Sequence, residues 1–157
     1  MNVKLDKIVS VVVNKPPTFV FAGLVYVVLV VILKWWMNPN VQSVLFLFGG
    51  IMGIYFLDIA ELFTRLSPSP FRSIVFLLLF TITGFFVVSS STGVVGRGLV
   101  LTLHLMLLLL QTGEWKTRGN LNSWYLMVAD AVPERTQLIL LVLFGLFLII
   151  NTYLFIR

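Results

Sequence analysis

The chain of 157 residues contains no cysteine and only one histidine, His104. Disulfides, thiolate catalysis and cysteine-ligated metal sites are therefore excluded, and a single histidine cannot form a histidine-rich metal site. The sequence also lacks a phosphate-binding loop, a Gly-x-Ser-x-Gly nucleophile motif and a His-Glu-x-x-His motif. No motif identifies a cofactor or a catalytic residue, so we expect a protein that is not an enzyme.

Charged residues are scarce as well. They make up 11% of the chain, whereas about 25% is usual in soluble domains, and 59% of the residues are hydrophobic. Several apolar runs reach the roughly 17–25 residues that cross a bilayer as a helix. The composition predicts an all-α integral membrane protein that has lipid over most of its surface.

The net charge of +5 raises the question of nucleic-acid binding. No basic patch interleaved with exposed aromatic residues supports such a partner. In a membrane protein, an excess of Lys and Arg sets the orientation of the chain. We therefore exclude nucleic acid as a partner.

Apolar runs separated by turn residues predict five transmembrane helices in one polytopic domain, 1–157. The turns are the segments "MNPN" (37–40), "SPSP" (67–70) and "SSSTG" (89–93), and a polar loop, 113–135. The predicted spans are approximately residues 18–34, 41–60, 71–88, 94–112 and 136–155.

Two further segments have the spacing of amphipathic helices. Residues 1–15 are predicted as an N-terminal interfacial helix, with a frayed terminus as the alternative, and residues 120–132 as an amphipathic part of the cytoplasmic loop. Their apolar residues recur at helical spacing: Leu5, Ile8, Val9 and Val12 in the first segment, and Leu121, Trp124, Tyr125, Val128 and Val132 in the second.

The distribution of basic residues predicts the orientation. Eight of the eleven Lys and Arg residues lie in 1–17, 61–72 and 112–136, which five spans place on one side. Only Lys34, Arg97 and Arg157 lie on the other side. The positive-inside rule then predicts a multi-pass protein of a bacterial-type inner membrane, with its N-terminus in the cytoplasm and its C-terminus outside.

Three polar residues follow one another at intervals of seven in the fourth span: Arg97, His104 and Gln111. Seven residues are close to two helical turns, so the three side chains share nearly one line, which we call the polar track. Polar groups are costly in lipid, so the track is expected to face the bundle. It could serve as a proton relay or as the lining of a site for a small polar ligand or a quinone headgroup. Alternatively, Arg97 and Gln111 reach the two interfaces and only His104 is buried, held by a hydrogen bond.

The second span carries two further candidate faces. Asp58, Glu61 and Arg65 form a cytoplasmic acidic cluster that could act in acid–base chemistry or bind a cation, or could be a surface ion pair between Glu61 and Arg65. Small residues on a different face allow another helix to approach closely. This predicted packing face consists of Gln42, Gly49, Gly53 and Ala60.

The sequence favours a non-catalytic accessory or structural subunit of a membrane complex, with another membrane protein or a second copy of itself as partner. Two alternatives stay open. One is a small carrier or channel that uses the polar track centred on His104. The other is a membrane redox helper that binds a quinone near His104.

Overall fold

The computed structural model describes residues 9–10, 13–36, 38–64, 66, 69–90, 93–128 and 132–157. Within these ranges the regular structure is entirely helical and contains no strand. The helices are α1 (Pro17–Trp35), α2 (Val41–Thr64), α3 (Ile74–Ser90), α4 (Val94–Arg118), α5 (Asn122–Tyr125) and α6 (Glu134–Ile156). Most of the predicted interfacial helix 1–15, including Leu5, Ile8 and Val12, lies outside the described residues.

Four helices, α1, α2, α4 and α6, are long and apolar enough to cross a membrane. The chain is therefore a multi-pass helical membrane protein. The predicted third span corresponds to α3, which has 17 residues. At about 1.5 Å per residue this helix is roughly 26 Å long, against about 30 Å for the hydrocarbon core of a bilayer.

The helix ends follow from local chemistry. Pro17 occupies the first turn of α1, where a missing N–H group costs nothing. Trp36 ends α1 in a left-handed conformation, with φ of 44°. α3 begins later than predicted because the Ser73 hydroxyl accepts a 3.2 Å hydrogen bond from the backbone N–H of Phe76 and so caps the helix there. α4 continues six residues beyond the predicted end of its span and stops at Gly119, whose φ of 74° suits a helix C-cap.

α2 and α4 run parallel to each other and touch through their backbones. A Cβ atom on Gly49 would overlap the Val95 carbonyl oxygen, and one on Gly53 would lie 2.6 Å from the Leu99 carbonyl oxygen. Contacts therefore advance towards the C-termini of both helices, which is the pattern of a parallel pair. Only glycine permits helices to approach this closely.

The remaining long helices run opposite to this pair. Gly84 of α3 faces Val100 of α4, whereas Phe80, one turn earlier in α3, faces His104, one turn later in α4. α6 is likewise antiparallel to α4 and α1 is antiparallel to α2. α1, α3 and α6 therefore point one way, and α2 and α4 point the other way.

The interior contains two apolar clusters with α4 contributing to both. The cluster beside α5, here called the inner cluster, joins α4 to α2, α3, α5 and α6. The cluster at the opposite end of the bundle, here called the outer cluster, joins α4 to α1, α2, α3 and α6. The buried members of the inner cluster are Leu57, Leu77, Leu103, Leu107, Leu121, Trp124, Tyr125, Leu141 and Phe144, and those of the outer cluster are Val27, Val30, Phe46, Val88, Leu101 and Phe155.

The segment predicted as an interfacial helix at 120–132 has a helical part of only four residues, α5. Leu121, Trp124 and Tyr125 are buried in the inner cluster, so they face the bundle. Val128, which the periodicity assigned to the same face, is exposed. The chain turns after α5, which is why one face does not continue through the segment.

Candidate functional site

α4 brings the three residues of the polar track into different surroundings. His104 and Gln111 are 1% and 3% exposed, so both face the bundle interior. Arg97, in the first turn of α4, is half-buried at the outer end. Within the described part of the chain, no hydrogen bond connects any two of these side chains, so they do not form a hydrogen-bonded chain.

His104 locks α4 to α6. Its Nε2 lies 3.1 Å from the carbonyl oxygen of Phe144, and because a carbonyl only accepts, Nε2 carries the proton. The imidazole stacks on the Phe144 ring, with centroids 4.1 Å apart, and meets the Phe80 ring edge-on at 5.7 Å. The other ring nitrogen, Nδ1, is buried and has no hydrogen-bond partner among the described residues. One side of this histidine is therefore structural, and the other offers a free acceptor.

The outer end of the polar track is a cationic site on one aromatic ring. The Arg97 guanidinium lies 5.8 Å from the centroid of Phe155, and the Lys34 ammonium lies 4.7 Å from the same centroid. Lys34 also donates to the carbonyl oxygen of Phe155. Arg97 has no ion pair with a carboxylate of the described residues, and its buried Nε lacks a hydrogen-bond partner. Both cations lie within the distance at which the ring quadrupole attracts a positive charge.

The inner end of the track lies at a cavity. Gln111 lines a cavity of about 190 Å³ between α3, α4, α5 and α6, and its buried Nε2 bonds to none of the residues that the structure describes. The Gln111 side chain therefore does not extend to the interface, which was one of the two predicted arrangements. It stays inside the bundle, next to an apolar space.

Asn151 is a buried polar residue that the sequence analysis missed. It is fully buried on the face of α6 that packs inward, between Phe144 and Phe155. Neither its Nδ2 nor its Oδ1 has a hydrogen-bond partner in the described part of the chain. Gln137, Phe144 and Asn151 are spaced by seven, as the residues of the polar track are. That spacing on the last helix was the signal that could have identified it.

The acidic residues of α2 are taken up by ion pairs with other parts of the chain. Asp58 pairs with Lys15, which precedes α1 and also donates to the carbonyl oxygen of Ile54. Glu61 accepts two hydrogen bonds from Arg72, of 2.7 and 2.8 Å. The hydrogen bond to Glu61 raises the pKa of Arg72. The expected partner of Glu61, Arg65, lies outside the described residues.

The two ion pairs hold chain segments together. The Ser69 hydroxyl also donates to Glu61, over 2.8 Å, so this carboxylate fastens the connection between α2 and α3. No group of three or more His, Cys, Asp or Glu side chains that could hold a metal occurs among the residues with described positions.

The predicted packing face of α2 divides into two parts. Gly49 and Gly53 lie against the α4 backbone, as described above. Gln42 is exposed and Ala60 is only partly buried. The buried position near the start of the helix belongs to Ser43, whose backbone N–H donates to the Asn40 side chain over 2.9 Å.

A second polar cluster fastens α5 to the ends of α4 and α6. The Oε1 of Gln137 accepts from the Leu121 N–H over 2.6 Å, and its Nε2 donates to the Asn122 side chain and to the Val132 carbonyl oxygen. Glu114 of α4 accepts a 2.8 Å hydrogen bond from the Trp124 indole. α5 is therefore an integral cap on the bundle.

Comparison of the chain with models of protein families, with characterised proteins and with solved structures finds no significant match. Its function is therefore inferred from its own residues and their geometry.

Proposed function

We propose that the protein crosses a bacterial-type inner membrane five times, with its N-terminus in the cytoplasm and its C-terminus outside. The alternating helix directions support this topology, because α3 returns the chain from the end of α2 to the start of a parallel α4. The excess of basic residues on the side of the N-terminus supports the orientation. The shorter α3 fits a span if the bilayer thins locally or its flanking residues reach the interface.

Single cysteines test this topology, since the chain has none of its own. We expect cysteines at Ser69 and Asn122 to resist a membrane-impermeant thiol reagent in intact cells, and cysteines at Asn38 and Ser90 to react. Permeabilised cells give the control, because all four should then react. Labelling of Ser69 together with protection of Ser90 in intact cells would overturn the orientation.

As to its role, we propose a non-catalytic accessory subunit of a membrane complex. The observation that carries this proposal is that three of the polar candidates hold the bundle together. His104 is bonded to Phe144, Asp58 to Lys15 and Glu61 to Arg72. Side chains used in this way provide a scaffold, and none of these contacts assembles a nucleophile with a base.

The accessory role is tested in cells that express the protein at its native level. We expect it to migrate in mild detergent as a complex larger than its own 17.8 kDa, and we expect deletion of the chain to lower the abundance of one membrane protein, measured by quantitative mass spectrometry of membranes. A second copy of the chain as partner would appear as cross-links between two tagged copies. A monomer whose loss leaves the membrane proteome unchanged would contradict the proposal.

A carrier that uses the polar track is the second candidate. The free acceptor on His104 Nδ1 and the two unpartnered atoms of Asn151 favour it, because such groups can bind water or a transported ion inside the bundle. Reconstituted liposomes distinguish the two roles. Proton or solute flux that is lost in both His104→Gln and Asn151→Leu, with unchanged melting temperatures, would favour the carrier over the accessory subunit.

A further inference from the structure

The cavity at the inner end of the polar track has the features of a ligand site. Its volume of about 190 Å³ is somewhat larger than an apolar cavity of about 150 Å³ that binds benzene, so it accommodates one substituted ring or a short length of hydrocarbon chain. Four helices contribute to its walls, which are formed by Ile74, Leu77, Leu78, Thr81, Gln111, Leu121, Trp124, Tyr125, Leu140, Leu141, Leu143, Phe144 and Phe147.

The cavity opens towards the lipid. Leu78 of α3 and Leu143 of α6 belong to its lining and are both more than half exposed on the bundle surface. In a membrane this surface faces hydrocarbon, so a lipophilic molecule can enter sideways between α3 and α6. The opposite end is closed by Trp124 and Tyr125 of the α5 cap, both of which are buried.

The polar groups of the lining define the chemistry of the ligand. Gln111 is 97% buried, and its Nε2 donor has no partner in the described part of the protein. The Tyr125 hydroxyl makes no hydrogen bond to a described residue, and burial raises the pKa of the phenol, so the hydroxyl stays protonated at neutral pH and can donate. Two available donors in an apolar space match a ligand with a hydrogen-bond acceptor.

The lining also excludes a ligand with a charged headgroup. None of its thirteen residues is charged, and the Thr81 hydroxyl is already bonded to the carbonyl oxygen of Leu77. A carboxylate, phosphate or ammonium group would lose its hydration here without gaining a counter-charge. A neutral carbonyl keeps its hydrogen bond and needs no counter-charge.

We infer that this cavity binds a neutral lipophilic molecule whose carbonyl oxygen accepts hydrogen bonds from Gln111 and Tyr125, with its hydrocarbon part leaving between α3 and α6. Two kinds of membrane molecule share this chemistry, the quinone ring of an isoprenoid quinone and the ester group of a neutral glyceride. The site does not depend on the accessory role, since a subunit or a carrier can hold such a molecule.

Binding is tested with the full chain in lipid nanodiscs and three probes with equal tails: a decyl-substituted benzoquinone, a decanoyl monoglyceride and decanoate. We expect the quinone, the glyceride or both to form a one-to-one complex by native mass spectrometry and to raise the melting temperature. Decanoate should bind at least about tenfold more weakly, because its charge has no partner in the cavity. The probe that binds identifies the source of the carbonyl.

Variants link that binding to the cavity. Gln111→Leu should weaken it about tenfold, the effect of one lost hydrogen bond, without loss of the fold. Leu78→Trp places a larger side chain at an exposed position beside the opening, so it should block entry of the ligand. Thr112→Val is the matched control, since Thr112 is next to Gln111 on α4 and lies outside this cavity, and it should bind like the wild type.

Three outcomes would overturn the inference. The first is that neither neutral probe binds. The second is that the Gln111→Leu and Leu78→Trp variants both bind the probe as tightly as the wild type does. The third is that decanoate binds as tightly as the glyceride. The last result would mean that any amphiphile tail fills the space. None of these outcomes bears on the test of the accessory role, which is measured by the abundance of a partner.

Discussion

Replacing Gly53 with isoleucine is expected to destabilise the bundle strongly. A Cβ at this position would lie 2.6 Å from the Leu99 carbonyl oxygen and 3.1 Å from the Leu103 backbone N. Backbone atoms of a packed helix cannot turn aside as a side chain can, so α2 and α4 would have to separate. We expect a loss at the upper end of the usual range for overpacking, about 3 kcal/mol, measured by unfolding in mixed micelles.

Gly113→Ala is the control for this prediction. Gly113 is also a helical glycine, on α4, but a Cβ there would meet no atom within 4 Å. The substitution should leave stability unchanged or raise it by up to about 1 kcal/mol, because alanine favours a helix. If Gly53→Ile unfolds at the same temperature as Gly113→Ala, α2 and α4 do not pack through Gly53.

Replacing Gln137 with leucine is expected to have the second large effect. Its amide is fully buried and bonds the Leu121 N–H, the Asn122 side chain and the Val132 carbonyl oxygen. Leucine has a similar size but leaves the two backbone groups unpaired, at a cost of about 1–3 kcal/mol for each group that stays buried. We expect a lower melting temperature and faster proteolysis near α5, which these bonds hold in place.

The matched variant is Gln111→Leu, which changes the other buried glutamine of the inner half. Its Nε2 bonds to no described residue, so its replacement leaves no known protein group unpaired. We expect Gln111→Leu to be at least as stable as the wild type in the absence of ligand. Equal destabilisation by the two substitutions would show that the volume of a glutamine, rather than its hydrogen bonds, determines stability here.

The two glutamines show how far the sequence predicts the candidate site. The spacing of Arg97, His104 and Gln111 on an apolar helix predicted one line of polar residues, since the period of a helix is known without its neighbours. The spacing does not state what each residue meets, because that depends on the helices packed against α4. His104 meets a carbonyl of α6, Arg97 meets an aromatic ring, and Gln111 meets a cavity.

Local spacing could not predict the partners of the charged residues for the same reason. A helical interval of four predicted an ion pair between Glu61 and Arg65, which lies outside the described residues. Local spacing did not predict the bond of Glu61 to Arg72, which the turn before α3 brings alongside. Asp58 is bonded to Lys15, which is distant in sequence. Local patterns describe one helix at a time, whereas these ion pairs depend on how the chain turns between helices.

What the sequence by itself determined is the class of the protein and the approximate bounds of its long helices. Scarce charge and long apolar runs decide this, because burial of apolar side chains and internal backbone hydrogen bonding in lipid are properties of each segment alone. The cap formed by α5, the inward orientation of Asn151 and the cavity beside Gln111 were decided only by the tertiary structure. Each of them depends on side chains from several helices meeting in space, and no single segment carries that information.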